Sequence, residues 1–299
     1  QFNKGGKLIT SVEEKARIAR LNYQAGLKAK DSAAFDPAFQ LFQAGLELLD
    51  EAAWDKDYDF TLALHNEAAE TAFFSAHHED MERLGTVILA KARKTVDKVH
   101  FHITKINHLL VQGKFGDALE LGLDVLEKLD FKAPSKPNKL QVILAFLRTE
   151  AALRGKSPEE IAAYPELTDP RLLAVFRVLD NIMSASYVSS PDTFALLTFK
   201  AVHQLARNKV NCTSGRVFYA CYGKLILVGI MGKVERGLII AKVADLLAER
   251  ADAKKTQAPV TFYDGFFFLH WISHLRATLE PVLRAHRFGL EYGNLEYAA

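Results

Sequence analysis

Histidine is the residue type in this sequence with the clearest potential for chemistry, because its imidazole binds metals and transfers protons near neutral pH. His270 and His274 are four residues apart, a spacing that places both imidazoles on one face of a helix, where they can share a zinc ion. His286 could supply a third ligand from a neighbouring helix. The glutamate of the H-E-x-x-H metalloprotease pattern is missing, however, since Trp271 stands in its place. We therefore favour a packed or groove-facing histidine pair and predict no metal site.

Nucleophiles and phosphate-binding loops are the next candidates for chemistry. The sequence has no G-x-x-x-x-G-K-[ST] loop, and the Gly-Gly-Lys run at 5–7 lacks the required spacing. It has no G-x-S-x-G elbow, and neither Cys212 nor Cys221 has an evident histidine partner. We interpret both cysteines as reduced, buried small hydrophobes. Paired carboxylates such as Glu159-Glu160 stand at predicted helix starts, where they complement the helix dipole. The sequence therefore predicts no catalytic site and no cofactor.

An aromatic cluster occupies residues 262–268, with five aromatic side chains in seven residues. On a helix such a cluster covers all sides, which indicates either burial against both neighbouring helices or an exposed hydrophobic groove. We favour a place in the core.

Composition limits the class of protein that carries these residues. With 299 residues, 49% hydrophobic and 25% charged, the chain has the composition of an ordinary globular protein. The net charge is +2 and no block of like charges occurs, so the sequence predicts no nucleic-acid partner. The most apolar stretch, 225–231, is far shorter than the roughly 20 residues of a membrane span. We expect a cytoplasmic protein without a membrane span.

Helical periodicity dominates the chain, and period-2 alternation is nearly absent. Ser11 and Glu14 form a predicted capping box before the first helix, and Asp36-Pro37 opens the second. Further helices are predicted at 58–76, 81–94, 96–111, 115–129, 138–153, 170–187, 190–207, 216–231, 234–250, 262–274 and 278–292.

Aligned on their turns, the helix pairs resemble tetratricopeptide repeats, which are helix-turn-helix units of about 34 residues. In the best match Gly26 is followed by Ala38, Phe42 and Gly45 at offsets of 12, 16 and 19 residues. Similar small-residue patterns begin at Gly113 and Gly232. We expect an all-α fold, an α-solenoid of divergent tetratricopeptide-like helical hairpins with about 13 helices.

Short stretches spread over almost the whole chain carry a wider resemblance. They are AGLKAK (25–30), FQAGL (42–46), WDKDY (54–58), LELGL (119–123), LTDP (167–170), HW (270–271) and GLEYGNLEYA (289–298). In their order and spacing the chain resembles the helical region of large multidomain signalling proteins in which a serine/threonine-kinase-like domain, an AAA/STAND-type ATPase, a GAF domain and often a sensor histidine kinase occur together. The resemblance implies that the chain is part of a longer protein, an ATP-dependent kinase or ATPase. That family's ATP-binding loop, kinase motifs and phospho-accepting histidine box have no match here, so no catalytic residue is carried over.

The predicted organisation has four parts. Residues 1–10 form a disordered or artificially added leader, and 11–132 form an N-terminal repeat lobe. Residues 133–170 form a proline-punctuated helical connection, and 171–299 form a C-terminal repeat lobe.

A solenoid of helix pairs turns its first helices toward a concave face that suits an extended peptide or a neighbouring domain. The repeat register predicts the binding residues on that face: Arg20, Tyr23, Asn66, Glu70, His100, Asn107, Tyr219, Tyr222, Asp264 and Trp271.

Three functions remain open. The first, which we favour, is a regulatory interaction module that binds a protein, a peptide or an adjacent domain of the same polypeptide. The second is a small-molecule sensor that controls a STAND-type ATPase or histidine kinase, and the third is a free-standing helical enzyme. A closed pocket of roughly 300–1,000 Å³ lined by the aromatic cluster would favour the sensor, whereas an open polar groove would favour the interaction module.

Overall fold

The computed structural model describes residues 11–248 and 256–292, and within these ranges the chain is helical with no β-strand. A single parallel bridge, between Glu166 and Asn211, is the one β-type pairing in this part of the chain. The predicted all-α class is confirmed. The predicted leader, 1–10, lies outside the described residues.

The chain divides into two compact units, Gln1–Val125 and Leu126–Ala299. Residues 133–170, expected to connect two lobes, belong to the second unit. The four-part organisation stays a prediction.

The first unit consists of consecutive helices joined by short turns. Ser11 caps the first helix as predicted, with its hydroxyl oxygen accepting a 3.4 Å hydrogen bond from the backbone N–H of Glu14. The helices are α1 (Val12–Asp31), α2 (Phe35–Leu46), α3 (Ala53–Lys56), α4 (Tyr58–Phe74), α5 (His78–Lys91), α6 (Thr95–Val111) and the start of α7 (Phe115–Lys128). Helix α1 packs on α2, and α4 packs on α2, α5 and α6.

Small residues let these helices approach one another closely. A methyl group added at Gly26 of α1 would lie 2.5 Å from Cε1 of Phe42 in α2. One added at Gly85 of α5 would lie 1.7 Å from Cζ of Phe101 in α6. Phe42 and Phe101 are both buried, so the rings fill the space that the glycines leave. The Gly26–Phe42 pair is one that the repeat spacing singled out.

The second unit begins in the last turn of α7 and is less regular. Asn138, Ser157 and Asp169 cap three of its helices through their side-chain oxygens. Its α-helices are α8 (Lys139–Leu153), α9 (Pro158–Ala162), α10 (Pro170–Ser189), α11 (Pro191–Asn208), α12 (Thr213–Ala220), α13 (Val234–Leu247), α14 (Gln257–Tyr263) and α15 (Leu279–Tyr292). Two π-helices, Cys221–Ile230 and Asp264–Phe268, continue α12 and α14, and two 3₁₀ turns, Leu269–Trp271 and Leu275–Thr278, precede α15.

The π-helices correct two sequence predictions. The predicted helix at 216–231 is α12 followed by the first π-helix, and the predicted regular helix at 262–274 is wrong. The two π-helices contact each other, and the buried Lys224 of the first pairs with Asp264 of the second at 2.5 Å. Hydrophobic periodicity does not distinguish π from α winding, so the sequence pattern could not predict the two π-helices. It also could not predict their ion pair, because the two residues are distant in the sequence.

By its length and composition alone, helix α10 is long and apolar enough to cross a membrane. However, 56% of its most apolar window is buried within the protein, which is also typical of the core helix of a soluble protein.

Candidate functional site

The first unit brings together the predicted binding residues of three helices. Arg20 and Tyr23 lie on α1, Glu70 lies on α4, and His100 lies on α6. Two residues that the sequence analysis missed, Lys30 of α1 and Glu67 of α4, join them. We call these six side chains the polar row.

Glu70 is the centre of the polar row. Its Oε2 accepts a 2.7 Å hydrogen bond from Nζ of Lys30 and a 2.8 Å hydrogen bond from Nε2 of His100. Lys30 Nζ also donates to Oε2 of Glu67 at 2.7 Å. These four side chains are between 14% and 27% exposed, so they are held in place but remain reachable from solvent.

The charges of the polar row reinforce one another. Burial opposes ionisation of Glu70, but the hydrogen bond and charge of His100, together with Lys30, outweigh it and lower the pKa of Glu70 to about 2. Burial likewise opposes the charge of Lys30, yet the neighbouring carboxylates of Glu70 and Glu67 raise its pKa. Burial and the charge of Glu67 raise the pKa of Tyr23. Lys30 and Glu70 are therefore both ionised near neutral pH.

Arg20 and Tyr23 extend the polar row toward the start of α4. The Arg20 guanidinium pairs with Asp57, and its carbon lies 4.4 Å from the centroid of the Phe60 ring. The Tyr23 ring packs edge-on against Phe60 at 5.5 Å. This end of the row combines an exposed cation with an aromatic surface.

The other two first-unit candidates are Asn66 and Asn107. Asn66 is buried, and its Oδ1 has no hydrogen-bond partner among the described residues. Asn107 is half-buried on α6. Neither belongs to the polar row.

The candidates of the second unit do not form a comparable row. Tyr219 and Tyr222 are fully buried, so the expectation that they face an open surface is wrong. Their register was read as regular α-helix, but Tyr222 lies in the first π-helix, where its hydroxyl donates to Glu150 at 2.5 Å. Asp264 pairs with Lys224, whereas Trp271 is 51% exposed in a 3₁₀ turn.

Three residues of the polar row have the chemistry of a metal site. Ligand atoms of Glu67, Glu70 and His100 lie within 4.8 Å of one another. The Lys30 ammonium contacts both carboxylates, however, and already supplies a positive charge at that place. A metal ion would have to displace it.

The histidines that opened the metal hypothesis are placed differently from expectation. His270 lies in one 3₁₀ turn and His274 precedes the next, where its Nδ1 accepts a 3.1 Å hydrogen bond from the backbone N–H of Arg276. They do not share a helix, which removes the geometric argument for a common ligand. His286 is exposed on α15.

The aromatic cluster is only partly core. Tyr263 and Phe268 are buried, whereas Phe266 is 58% exposed. With Tyr187 of α10 and residues of α11 and the first π-helix, the cluster lines a partly open cavity of about 250 Å³.

The two cysteines are free and buried, as the sequence analysis interpreted them.

The signal that could have found the missed residues is helical spacing. Glu67 and Glu70 are three residues apart, so they lie on one face of α4. Lys30 lies in the last turn of α1, at the end of the AGLKAK stretch. The sequence shows these spacings but not which faces meet.

Comparison with known proteins adds one relative. Over 321 aligned residues the chain is 23% identical to hybrid signal transduction histidine kinase G of Dictyostelium discoideum. The chain is similar to part of a signalling protein. The alignment covers 98% of this chain but 9% of the relative, so the chain spans about a tenth of that protein's length. No family model and no solved structure matches the chain.

Proposed function

We propose that the chain is a non-catalytic helical-repeat module of a multidomain signal-transduction kinase or ATPase, and that it binds a protein partner or a neighbouring domain through the polar row. The polar row is the observation that carries this proposal. It places charged and aromatic side chains from the three helices α1, α4 and α6 on one ion-paired, partly exposed surface.

The polar row suits protein recognition for two physical reasons. First, its ion pairs hold Lys30, Glu70 and His100 in fixed positions, so that less side-chain entropy is lost when a partner binds. Second, Arg20 and Tyr23 are residue types that are enriched among the side chains contributing most to binding energy at interfaces. A partner can therefore gain affinity without chemistry by the module.

The similarity to the histidine kinase supports the regulatory part of the proposal. Nearly all of this chain aligns with a small fraction of a very long signalling protein. In this proposal the rest of the polypeptide carries the ATP-dependent activity, and the helical module controls it in the cytoplasm.

The alternative function, a small-molecule sensor whose pocket is lined by the aromatic cluster, is less well supported. Its cavity of about 250 Å³ is partly open and falls below the roughly 300–1,000 Å³ of most ligand sites. The polar row is the feature expected of the interaction module.

The test uses this chain and the polypeptide segments encoded on either side of it in its gene, each produced separately. Hydrogen exchange of the chain is measured with and without each segment, and affinity is measured by calorimetry. We expect one segment to protect α1, α4 and α6. We expect the double variant Arg20→Ala/His100→Gln to bind at least tenfold more weakly, because each substitution removes a contact at the polar row.

Arg83→Ala is the matched control, because this exposed arginine lies on α5 and forms its salt bridge with Asp80 of the same helix. It should leave the affinity unchanged. Equal losses in both variants, or protection confined to other helices, would refute the polar row as the binding surface.

A further inference from the structure

The second unit contains a cavity of about 520 Å³ between α8, α11 and the segment that precedes α8. Its volume is within the range of small-molecule sites. Residues from all three elements form its walls.

Helix α11 gives this cavity a basic wall. Lys200, His203 and Arg207 are three and four residues apart, so they share one face of the helix. Arg148 of α8 faces the same cavity, and its backbone carbonyl accepts a 3.2 Å hydrogen bond from Nδ1 of His203. This bond fixes the orientation of the imidazole in the cavity wall.

The positive charge of the cavity is not neutralised by the protein around it. Four cations, Lys132, Arg148, Lys200 and Arg207, line it, against the single carboxylate of Asp130. That carboxylate is turned to Arg171, which donates to it at 3.3 Å. Within residues 11–248 and 256–292, no carboxylate pairs with Arg148, Lys200 or Arg207.

Lys200 shows how this excess charge is tolerated. Its ammonium donates to the backbone carbonyl of Lys132 and lies 5.1 Å from the centroid of the Phe131 ring, and both partners are uncharged. Burial, followed by the charge of Arg148, lowers the pKa of Lys200, and burial and the neighbouring cations Arg207, Arg148 and Lys200 lower that of His203. An anion in the cavity would relieve this repulsion.

We infer that the cavity binds a small organic anion, with a phosphate or carboxylate group held by Arg148, Lys200 and Arg207 and an apolar part against Phe131, Leu144 and Leu196. The inference rests on the second unit alone. It does not depend on whether the polar row binds a partner.

The experiment titrates the full chain by calorimetry with three probes that share one ring system: 1-naphthyl phosphate, 1-naphthoate and the uncharged 1-naphthol. We expect both anions to bind with one-to-one stoichiometry and 1-naphthol to bind at least tenfold more weakly, because only the anions neutralise the basic wall. The ratio of the two anion affinities distinguishes a phosphate site from a carboxylate site. Equal affinity for 1-naphthol, or no binding of either anion, would overturn the inference.

The variants Arg148→Gln and Arg207→Gln locate the binding. Both side chains are exposed enough for the substitutions to leave folding intact, which circular dichroism checks. We expect each to weaken anion binding about tenfold, as a lost charge-assisted hydrogen bond does. Arg177→Gln is the control, since this exposed arginine of α10 is outside the cavity and should change nothing.

An equal loss in all three variants would assign the effect to net charge and refute the site. A membrane surface is the competing partner, since Leu140, Ile143 and Leu147 of α8 are also exposed. Binding to phosphatidylserine vesicles, together with no binding of the naphthyl anions, would also refute the site.

Discussion

Glu70 and His100, thirty residues apart in the sequence, are joined by a 2.8 Å hydrogen bond between Oε2 and Nε2. The same carboxylate oxygen receives Nζ of Lys30 from a third helix. One carboxylate thus connects α1, α4 and α6, which makes the polar row a structural element as well as a candidate binding surface.

We predict that this carboxylate makes stability depend on pH. The pKa of Glu70 is lowered from 4.5 to about 2 in the folded chain. A depressed carboxyl pKa stabilises the fold above its unfolded value and loses that contribution as pH falls through the folded value. The free energy of unfolding by urea should therefore fall by about 2 kcal/mol between pH 4.5 and pH 2 because of this group. Glu70→Gln should lack this component, and an unchanged pH profile in that variant would contradict the prediction.

Close helix contact predicts a large effect of one methyl group. In Gly85→Ala the new methyl would overlap the buried Phe101 ring, so the free energy of unfolding should fall by about 2 kcal/mol. Denaturant unfolding measures this change. Gly116→Ala is the matched control, because its added methyl would meet no atom of a packed neighbour within 4 Å. Alanine there should be neutral or stabilise by up to about 1 kcal/mol, owing to its helix propensity. Equal destabilisation in both variants would argue against the α5–α6 contact.

Substitution of the buried Lys224 should lower the free energy of unfolding more than substitution of an exposed lysine. Lys224 pairs with Asp264 at 2.5 Å and with Asp245 at 3.2 Å, and burial raises the pKa of Asp264 despite the charge of Lys224. Lys224→Met leaves Asp264 without its cation, so unfolding should become easier by about 3 kcal/mol. Adding Asp264→Asn should restore part of this loss, because the unpaired charge is removed. Thermal and denaturant unfolding of the single and double variants measure the coupling. Full additivity of the two changes would contradict it.

The cysteines should be unreactive in the folded chain. Burial raises the pKa of the Cys221 thiol to about 12, so almost no thiolate is present at neutral pH. Cys212 is also buried. A disulfide reagent such as 5,5′-dithiobis(2-nitrobenzoate) should label neither thiol until denaturant is added. Labelling of Cys221 at the rate of a free peptide thiol would contradict its burial.

Much of the candidate site could be anticipated from the sequence in the first unit. Arg20, Tyr23, Glu70 and His100 were predicted from the repeat register, which assigns the first helix of each pair to one shared face, and the structure brings Glu70 and His100 into contact. The same reasoning failed for Tyr219 of α12 and for Tyr222, because the core takes up both rings. For Tyr222 the π-helix also changes the register on which the prediction relied. The basic cavity was missed as well. The helical spacing of Lys200, His203 and Arg207 on α11 is visible in the sequence. No local sequence pattern shows, however, that Arg148 of α8 faces the same cavity.

The sequence by itself determined the helical class, most helix boundaries and the close approach at Gly26, because periodicity, caps and glycine spacing act over a few turns of chain. Only the tertiary structure decided which charges meet. The pairs Lys30–Glu70, Glu70–His100 and Lys224–Asp264 join residues 30 to 40 positions apart, and their energy depends on burial and distance that no local pattern encodes.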